Sequence, residues 1–441
     1  MSDLRFTLTW GTSESGEPEV RATAAHLGLY VGDVNLTRNE DIWSKSVRDN
    51  VFLAAYPLAQ WLASSWWRLV YEPLPPSGKQ PTHGWRMAHE VGAANHGFVW
   101  PNIVMACDTE AVQVWAAAAM SPRQSVQYLQ SLPAPKAIPL SRFQRSIRDF
   151  IQATLTQLDA KALRHSDLAA LWGIVLEDLA DANAVRRRKL EAQLGFDPEE
   201  CPPEALEEAL GWGNQVGEEA LSEIAPAIAH SGGAPDLSAI GRLVGAPGLE
   251  GEPDIQSTDV EHIQAEAPWQ RAAHAARSLR DRLAMSDQAF GSERLYSLLG
   301  LASSRAADWR GVDSQVPVAV AVPLGGRRIK FVPRKRNPQA KRFELARLLG
   351  DLLRPVRHDD EWLTSTDLTT ARQKYQRAFA AELLCPIGAL EGFLEGDYSA
   401  SALDDAAERF DVSEQVVRAS LVNNGFLPPR AWANMPYRTG N

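Results

Sequence analysis

Tryptophan is distributed unevenly along this chain of 441 residues, and eight of its 14 tryptophans lie within the first 115 residues. They are Trp10, Trp43, Trp61, Trp66, Trp67, Trp85, Trp100 and Trp115. Large aromatic side chains contribute much of the apolar area that a protein core buries. The N-terminal quarter is therefore expected to form a unit of its own, with most of these rings in its core. The alternative is that some of the rings line an apolar pocket.

The overall composition is that of a globular protein. Hydrophobic residues make up 45% of the chain and charged residues 23%, which excludes collagen-like, coiled-coil and wholly disordered proteins. No run of about 18 apolar residues predicts a membrane span, and the first residues contain no apolar signal core. Cys107, Cys201 and Cys385 are too widely spaced for a disulfide framework or a paired-cysteine zinc site. These features predict a cytoplasmic protein without a membrane partner.

Composition and hydrophobic periodicity predict an α+β protein of four parts. They are an aromatic-rich α+β domain at 1–135, a helical domain at 136–230, a linker rich in glycine and proline at 231–267, and a third structured domain at 268–430. In this last domain, apolar β-branched residues predict a hairpin from 316–322 and 328–332. Gly325-Gly326 is expected to form the turn of this hairpin. Helices are expected at 339–354, 366–384, 387–394, 400–409 and 413–424. In the first two parts, apolar residues at steps of three and four also predict a helix over 51–70 and a helical stripe from Phe143 to Leu158.

Three sequence blocks in the last domain follow a family pattern. Residues 342–353 read RFELARLLGDLL, residues 378–386 read AFAAELLCP, and residues 403–413 read LDDAAERFDVS. In this order the blocks resemble the ImmA/IrrE family of zinc metallopeptidases, whose first block contains a His-Glu-x-x-His helix. The resemblance covers roughly residues 268–427. It implies a zincin-like domain and a setting in bacterial stress, mobile-element or phage-response control.

The sequence departs from this family at the residues that carry the chemistry. Two histidines at positions i and i+4 of a helix bind zinc, and the glutamate between them acts as the general base. The corresponding positions are Arg347, Leu348 and Asp351. Arginine stays protonated and cannot ligate a cation, leucine cannot accept a proton, and one aspartate does not hold zinc. The domain is therefore predicted to be degenerate, with no metal, no cofactor and no peptidase activity.

Two further observations agree with a degenerate site. The resemblance implies a third ligand within 372–377, where the chain has no acidic residue, and His358 is the only histidine beyond position 275. Arg347 and Asp351 are spaced for an ion pair across one helical turn. We expect that pair to fill the former metal site. The alternative is that Arg347 binds an anionic ligand in the old cleft.

Other groups of residues offer alternative sites. His89, Glu90, His96 and Asp108 could form a metal or catalytic site in the aromatic-rich domain, although a spacing of seven between the histidines does not suit a helical zinc site. A basic run that lacks acidic residues could contact nucleic acid or an acidic partner in this chain of net charge −10. Its members are Arg327, Arg328, Arg334, Lys335, Arg336, Lys341 and Arg342. The predicted helix pair at 403–424 could read DNA as a helix-turn-helix.

The interpretation that we favour is a non-catalytic regulatory or interaction protein, built on a pseudo-metallopeptidase, with a protein partner. Two alternatives remain open. One is a hydrolase whose site lies around His89, Glu90 and His96. The other is a DNA-binding regulator of the helix-turn-helix type, with nucleic acid contacted through 327–342.

Overall fold

The chain consists of two units in a computed structural model that describes residues 2–119, 121, 124–231, 235–265, 267–285, 287–311, 316–356, 360–428 and 435–437. The N-terminal unit comprises Met1–Leu206 together with Arg430–Asn441, and the C-terminal unit comprises Glu207–Pro429. Both units combine helices with antiparallel strand pairs. A mixed helix and strand content agrees with the α+β class predicted from the sequence.

The N-terminal unit contains ten strands and seven α-helices within the described residues. Its strands are β1 (Leu4–Trp10), β2 (Ala24–Val31), β3 (Val34–Asn35), β4 (Asn39–Asp41), β5 (Ser46–Arg48), β6 (Val51–Ala54), β7 (Asn102–Cys107), β8 (Ala111–Ala117), β9 (Val126–Tyr128) and β10 (Lys136–Pro139), and its helices are α1 (Pro18–Ala22), α2 (Ala55–Ser64), α3 (Trp66–Tyr71), α4 (His83–His89), α5 (Leu140–Ala160), α6 (Asp167–Ala180) and α7 (Ala182–Gln193). The strands form three small sheets, ordered β1-β2-β3 with β6 also on β2, β10-β8-β7, and β5-β4-β9.

The helices of the N-terminal unit share one core with its sheets. The apolar stripe of α5, which includes Phe143, Ile147 and Phe150, packs into the same cluster as the strands and the tryptophans. Six of the eight N-terminal tryptophans are buried, so the prediction that most of them are core residues is confirmed. Trp43, at the turn between β4 and β5, is 83% exposed.

The C-terminal unit is built around one four-stranded antiparallel sheet. Its strands are β11 (Leu249–Gly251), β12 (Val318–Pro323), β13 (Ile329–Val332) and β14 (Leu363–Thr366), and its helices are α8 (Pro203–Val216), which begins just before the boundary, α9 (Glu218–Ala229), α10 (Ser238–Gly245), α11 (Pro268–Arg282), α12 (Ser292–Leu298), α13 (Ser303–Asp308), α14 (Pro338–Leu352), α15 (Ala371–Leu384), α16 (Ile387–Leu394), α17 (Ala400–Phe410) and α18 (Glu414–Asn423). The strand order is β11-β13-β12-β14. The predicted hairpin at Gly325-Gly326 is confirmed as β12 and β13.

The unit boundaries differ from the four parts expected from the sequence. The helices expected to form a domain at 136–230 are divided, because α5, α6 and α7 bury their apolar residues in the N-terminal core whereas α9 packs against β14. The segment 231–267 is not a simple linker, since α10 lies in it and β11 pairs with β13. Glycine and proline suggested a linker, but Leu249, Ile255 and Val260 are buried in the C-terminal core, and β11 also hydrogen-bonds to β13.

Helices α14 and α15 lie side by side at the centre of the C-terminal unit. Asn337 caps the start of α14, and Pro338 occupies its first turn, where a missing N–H costs nothing. Gly350 faces α15 so closely that a Cβ there would lie 2.7 Å from the ring of Phe379. This close approach places the polar residues of α14 directly against those of α15.

Candidate functional site

The segment compared with the metallopeptidase motif, 347–351, lies on α14, a helix that is buried along most of its length. Arg347, Leu348 and Asp351 are all buried on α14, with relative exposures of 5%, 0% and 0%. Asp351 meets β14 and α15, where it accepts hydrogen bonds from the Thr364 amide at 3.1 Å and from Arg372. The three motif positions therefore lie in the interior of the C-terminal unit.

Asp351 is neutralised by two arginines. The Nη2 of Arg372 lies 2.6 Å from its Oδ2, and the Nε of Arg354 lies 2.8 Å from its Oδ1. Burial opposes ionisation of Asp351, but the Arg372 and Arg354 guanidinium groups hold the pKa of that carboxyl below its usual value. Asp351 in turn raises the pKa of Arg372, against the opposing effect of burial. This cluster is an internal ion network.

Two further carboxyl groups lie near the same network. Glu223 accepts hydrogen bonds from the Thr370 hydroxyl at 2.8 and 2.9 Å. Glu361 accepts one from the Ala220 amide at 2.9 Å, next to Gly217, whose φ of +93° and close contact with Glu361 favour glycine. Burial raises the pKa of both carboxyl groups. They are the groups of this network that most readily accept a proton.

Arg347 makes no ion pair with Asp351, so the pairing expected one helical turn apart is wrong. Arg347 donates instead to the Thr366 carbonyl at 2.6 Å and to the side-chain oxygen of Gln373. The reason lies in the tertiary packing. Arg372 on α15 already pairs with Asp351, whereas the end of β14 presents the Thr366 carbonyl to Arg347. Burial and the nearby Arg377 and Arg334 cations lower the pKa of Arg347 to about 9, so it remains protonated at neutral pH.

Arg347 lies in the wall of a groove of about 860 Å³ within the C-terminal unit. Helices α14, α15 and α18 supply most of its lining, together with the loop before α14. The lining residues are Trp269, Lys335, Asn337, Gln339, Ala340, Phe343, Glu344, Arg347, Asp367, Lys374, Arg377, Ala378, Ala381, Val412, Ser413, Gln415, Val416, Ala419, Ser420 and Asn423. We take this groove as the candidate functional site.

The charged residues of the groove do not balance. Glu344 and Asp367 both pair with the largely buried Arg334, at 2.8 and 2.6 Å. The lining cations are Lys335, Arg347, Lys374 and Arg377. Four cations against two carboxylates make the lining positive in a chain of net charge −10, and Arg334 adds a further positive charge beside it.

The basic run does not form one anion-binding surface, which corrects the expectation from the sequence. Lys341 is buried and donates to the Ala306 carbonyl at 2.6 Å, and Arg342 is buried and donates to the Phe410 carbonyl at 3.1 Å. Arg334 is held by its two carboxylates. Lys341 and Arg342 satisfy buried carbonyls because helix α14 carries them into the core, whereas Arg334 pairs with its carboxylates from the loop before α14.

The rest of the run is scattered over the surface. Arg327 donates to the Pro253 carbonyl, Arg328 and Arg336 are exposed, and Lys335 lines the groove. Because Arg327, Arg328 and Arg336 are exposed whereas Lys341 and Arg342 are buried, the clustering of charge along this sequence does not produce one charged patch on the folded surface.

The N-terminal candidate residues are separated in the structure. His89 is completely buried; its Nδ1 lies 2.7 Å from the Met105 carbonyl and its Nε2 lies 2.9 Å from Glu72. Glu90 pairs with Arg86 at 2.7 Å and accepts a hydrogen bond from the Tyr437 hydroxyl. The sequence neighbours His89 and Glu90 therefore serve different contacts.

The other two N-terminal candidates lie elsewhere. His96 is exposed in a turn, with a φ of +54°. Asp108 is buried at the β7–β8 turn and accepts hydrogen bonds from the amides of Glu110 and Ala111. Among the described residues, no group of three or more histidine, cysteine, aspartate or glutamate side chains could hold a metal ion. His358 lies outside the described residues.

The helix pair near the C-terminus is formed as expected, with α17 and α18 close to the predicted 403–424. Val417 and Leu421 on α18 are buried in the core of the C-terminal unit. Arg418 pairs with Glu414 one turn earlier, at 2.6 Å. The opposite side of α18, which includes Ala419 and Asn423, lines the groove.

Sequence reasoning missed several residues of the site. Arg372 was seen only as part of a stretch without acidic residues, and its pairing with Asp351 was not anticipated. Lys374 and Arg377 are one helical turn apart in that same stretch, a spacing that predicts a shared cationic face. This spacing was the available signal. Nothing in the sequence indicated that α18 would form the opposite wall.

None of the helices described in the structure has the length and apolar character needed to span a bilayer. Compared with protein-family models, with curated proteins and with solved structures, the chain matches none.

Proposed function

We propose that this chain is a non-catalytic regulatory or interaction protein whose C-terminal unit is built on the framework of an ImmA/IrrE-like metallopeptidase. The observation that carries the proposal is the Arg372–Asp351–Arg354 cluster. Of the three motif positions, Asp351 alone has an oxygen ligand to offer, and two arginines neutralise it. Arg347 and Leu348 supply neither a metal ligand nor a general base.

The energetics of the cluster support this proposal. A metal ion bound by Asp351 would have to displace Arg372, whose side chain is only 6% exposed. An arginine deprived of its carboxylate in a protein interior costs about 3–5 kcal/mol. A divalent cation placed beside Arg372, Arg354 and Arg347 would also be repelled by three positive charges. The donor set is therefore unsuited to zinc.

The groove is the proposed interaction site, and a protein is the proposed partner. The proposed setting is the control of bacterial stress, mobile elements or phage response, and it rests on the family resemblance alone. A cytoplasmic location also belongs to the proposal, and the buried thiols of Cys107, Cys201 and Cys385 support a reducing compartment.

The test is metal content and peptide hydrolysis by the purified full chain. The protein is incubated with excess zinc, exchanged into metal-free buffer and measured by elemental analysis, and then incubated with casein. We expect far less than one zinc per chain and no cleavage. Asp351→Asn and the exposed control Asp404→Asn are measured in parallel. Stoichiometric zinc that is lost in Asp351→Asn and kept in Asp404→Asn contradicts the proposal.

A further inference from the structure

We infer that the groove between α14, α15 and α18 binds a peptide segment that carries an acidic side chain among apolar ones. This inference deepens the proposed function and rests on it, because it names the chemical class of the partner. The lining combines cationic with apolar side chains, and a buried arginine lies in its wall.

Two of the four cations of the lining come from α15. Lys374 and Arg377 project from adjacent turns, and Arg347 and Lys335 contribute from α14 and from the loop before it. The two carboxylates of the lining are already paired with Arg334. A carboxylate that enters the groove therefore meets an excess of positive charge, and charge-assisted hydrogen bonds to it would be among the stronger contacts available.

The apolar part of the lining comes from three helices. Phe343 lies on α14, Ala378 and Ala381 on α15, and Val416 and Ala419 on α18. The small alanines keep the groove open, whereas Phe343 and Val416 offer apolar area. Gln415 and Asn423 at the rim supply amide groups that can hydrogen-bond a peptide backbone. This combination suits a peptide better than a free small anion.

Arg347 gives the groove its requirement for a negative charge. Arg347 is only 5% exposed, it donates to the Thr366 carbonyl and the Gln373 amide oxygen, and its Nε has no hydrogen-bond partner among the described residues. Charged buried groups are normally paired with an opposite charge. A carboxylate bound beside Arg347 and Arg377 would supply that charge, and would be recognised over its amide analogue.

A peptide is favoured over nucleic acid. Phosphate backbones are bound by a series of lysines and arginines along an exposed track. The α18 wall has one arginine, Arg418, which pairs with Glu414, and neither residue lines the groove. The members of the basic run that would extend such a track are buried, as Lys341 and Arg342 are.

The experiment begins with a defined probe, a phage-displayed library of random 16-residue peptides selected on the full-length protein. Selection is repeated against Ala419→Trp, which fills the groove from an exposed position of α18. Ala400→Trp, an exposed position of α17 that does not line the groove, is the matched control. Circular dichroism verifies that both variants are folded. We expect peptides enriched in Asp or Glu flanked by apolar residues on the wild type and on Ala400→Trp only.

Affinities are then measured by fluorescence anisotropy with the most enriched peptide and with a version in which its acids are replaced by amides. We expect Ala419→Trp and the amide peptide each to weaken binding about tenfold or more, since a desolvated charge pair and a filled pocket are each worth that much. Lys374→Gln should weaken it about threefold or more at low salt, whereas Arg294→Gln, an exposed control of equal charge change, should not.

Three results would overturn the inference. The first is that no peptide sequence is enriched on the wild type relative to Ala419→Trp, and the second is equal affinity for the acidic and amide peptides. The third is stronger competition by a 20-nucleotide single strand than by the acidic peptide. The last result would assign the groove to nucleic acid. A failure of the proposed function is distinguishable, because it would appear as stoichiometric zinc or as peptide cleavage, whichever peptides the groove binds.

Discussion

Each unit of this protein has a buried cluster of charged side chains, and the two clusters differ in how far apart in the sequence the paired residues lie. In the N-terminal unit Arg68 and Glu72 pair at 2.7 Å across one helical turn. In the C-terminal unit Asp351 and Arg372 pair at 2.6 Å across 21 positions of sequence, from two different helices. The first pair joins residues four positions apart, with Glu72 just beyond the end of α3. The second exists only when α14 and α15 are packed against each other.

The clusters also differ in how their carboxyl groups respond to burial. In the N-terminal unit burial opposes ionisation of Glu72, but His89 and Arg68 keep the pKa of this carboxyl below its usual value. In the C-terminal unit the pKa of Asp351 is likewise lowered, whereas burial raises the pKa of Glu223 and Glu361. The C-terminal cluster therefore contains carboxyl groups whose pKa values are shifted in opposite directions. This difference can be tested directly.

The largest effect is expected from Asp351→Asn. The change leaves Arg372 buried without its carboxylate, and the loss of one partner of a buried pair costs about 3–5 kcal/mol. Urea unfolding followed by hydrogen–deuterium exchange should show this loss in α14, α15 and β14. Asp404→Asn, at an exposed position of α17, is the control. A destabilisation of Asp351→Asn no greater than that of the control would show that the cluster is not a structural element.

Glu72→Gln should destabilise the N-terminal unit by a smaller amount, about 2 kcal/mol. Arg68 keeps two other partners, the Gly84 carbonyl at 3.2 Å and Asp197 at 3.5 Å, and His89 keeps its contact with the Met105 carbonyl. Exchange protection should fall in α3 and α4. An effect as large as that of Asp351→Asn would remove the distinction between the cluster paired within four residues and the cluster paired over a long range.

Arg334→Ser should cost about 2 kcal/mol, because Glu344, with a side-chain exposure of 1%, loses its charged donor. This change extends the comparison to an ion pair that is partly open to solvent, since Asp367 is 52% exposed and water can solvate it. Arg336→Ser, at an exposed position of the same basic run, should hardly change the unfolding midpoint. Similar midpoints for the two variants would restore the interpretation of the run as a solvated loop.

The smallest effect is expected from pH. The folded protein holds the Glu223 proton more tightly than the unfolded chain, because burial raises the pKa of Glu223 above 4.5. Its contribution to stability is therefore fully present below pH 4.5 and declines as the pH rises through the folded-state pKa. Glu223→Gln should make the stability of the C-terminal unit less dependent on pH above about 4.5.

Urea midpoints of the wild type and Glu223→Gln at several pH values provide the measurement. Glu218→Gln, on the same helix, is the control. An unchanged pH dependence in Glu223→Gln would mean that this carboxyl is ionised throughout, as Glu72 is expected to be. In that case the two clusters would respond to acid in the same way.

Much of the local structure was predictable from sequence, because local structure depends on neighbouring residues. The periodicity of α5 located its buried stripe, and Gly325-Gly326 located the hairpin between β12 and β13. The helix predicted over 51–70 begins instead as β6, since Val51–Ala54 pairs with β2. Edge pairing of this kind depends on a strand that lies more than 20 residues away, and local propensity does not reveal it.

The sequence by itself determined that the motif positions Arg347, Leu348 and Asp351 have no set of metal ligands, because that conclusion depends only on the chemistry of the side chains. Tertiary structure alone decided which partner each charge has. Asp351 was expected to pair with Arg347 and pairs with Arg372, and the basic run was expected at the surface but carries Lys341 and Arg342 into the core. The physical reason is that a buried charge selects its partner by distance and desolvation after the helices have packed, and a sequence does not specify those distances.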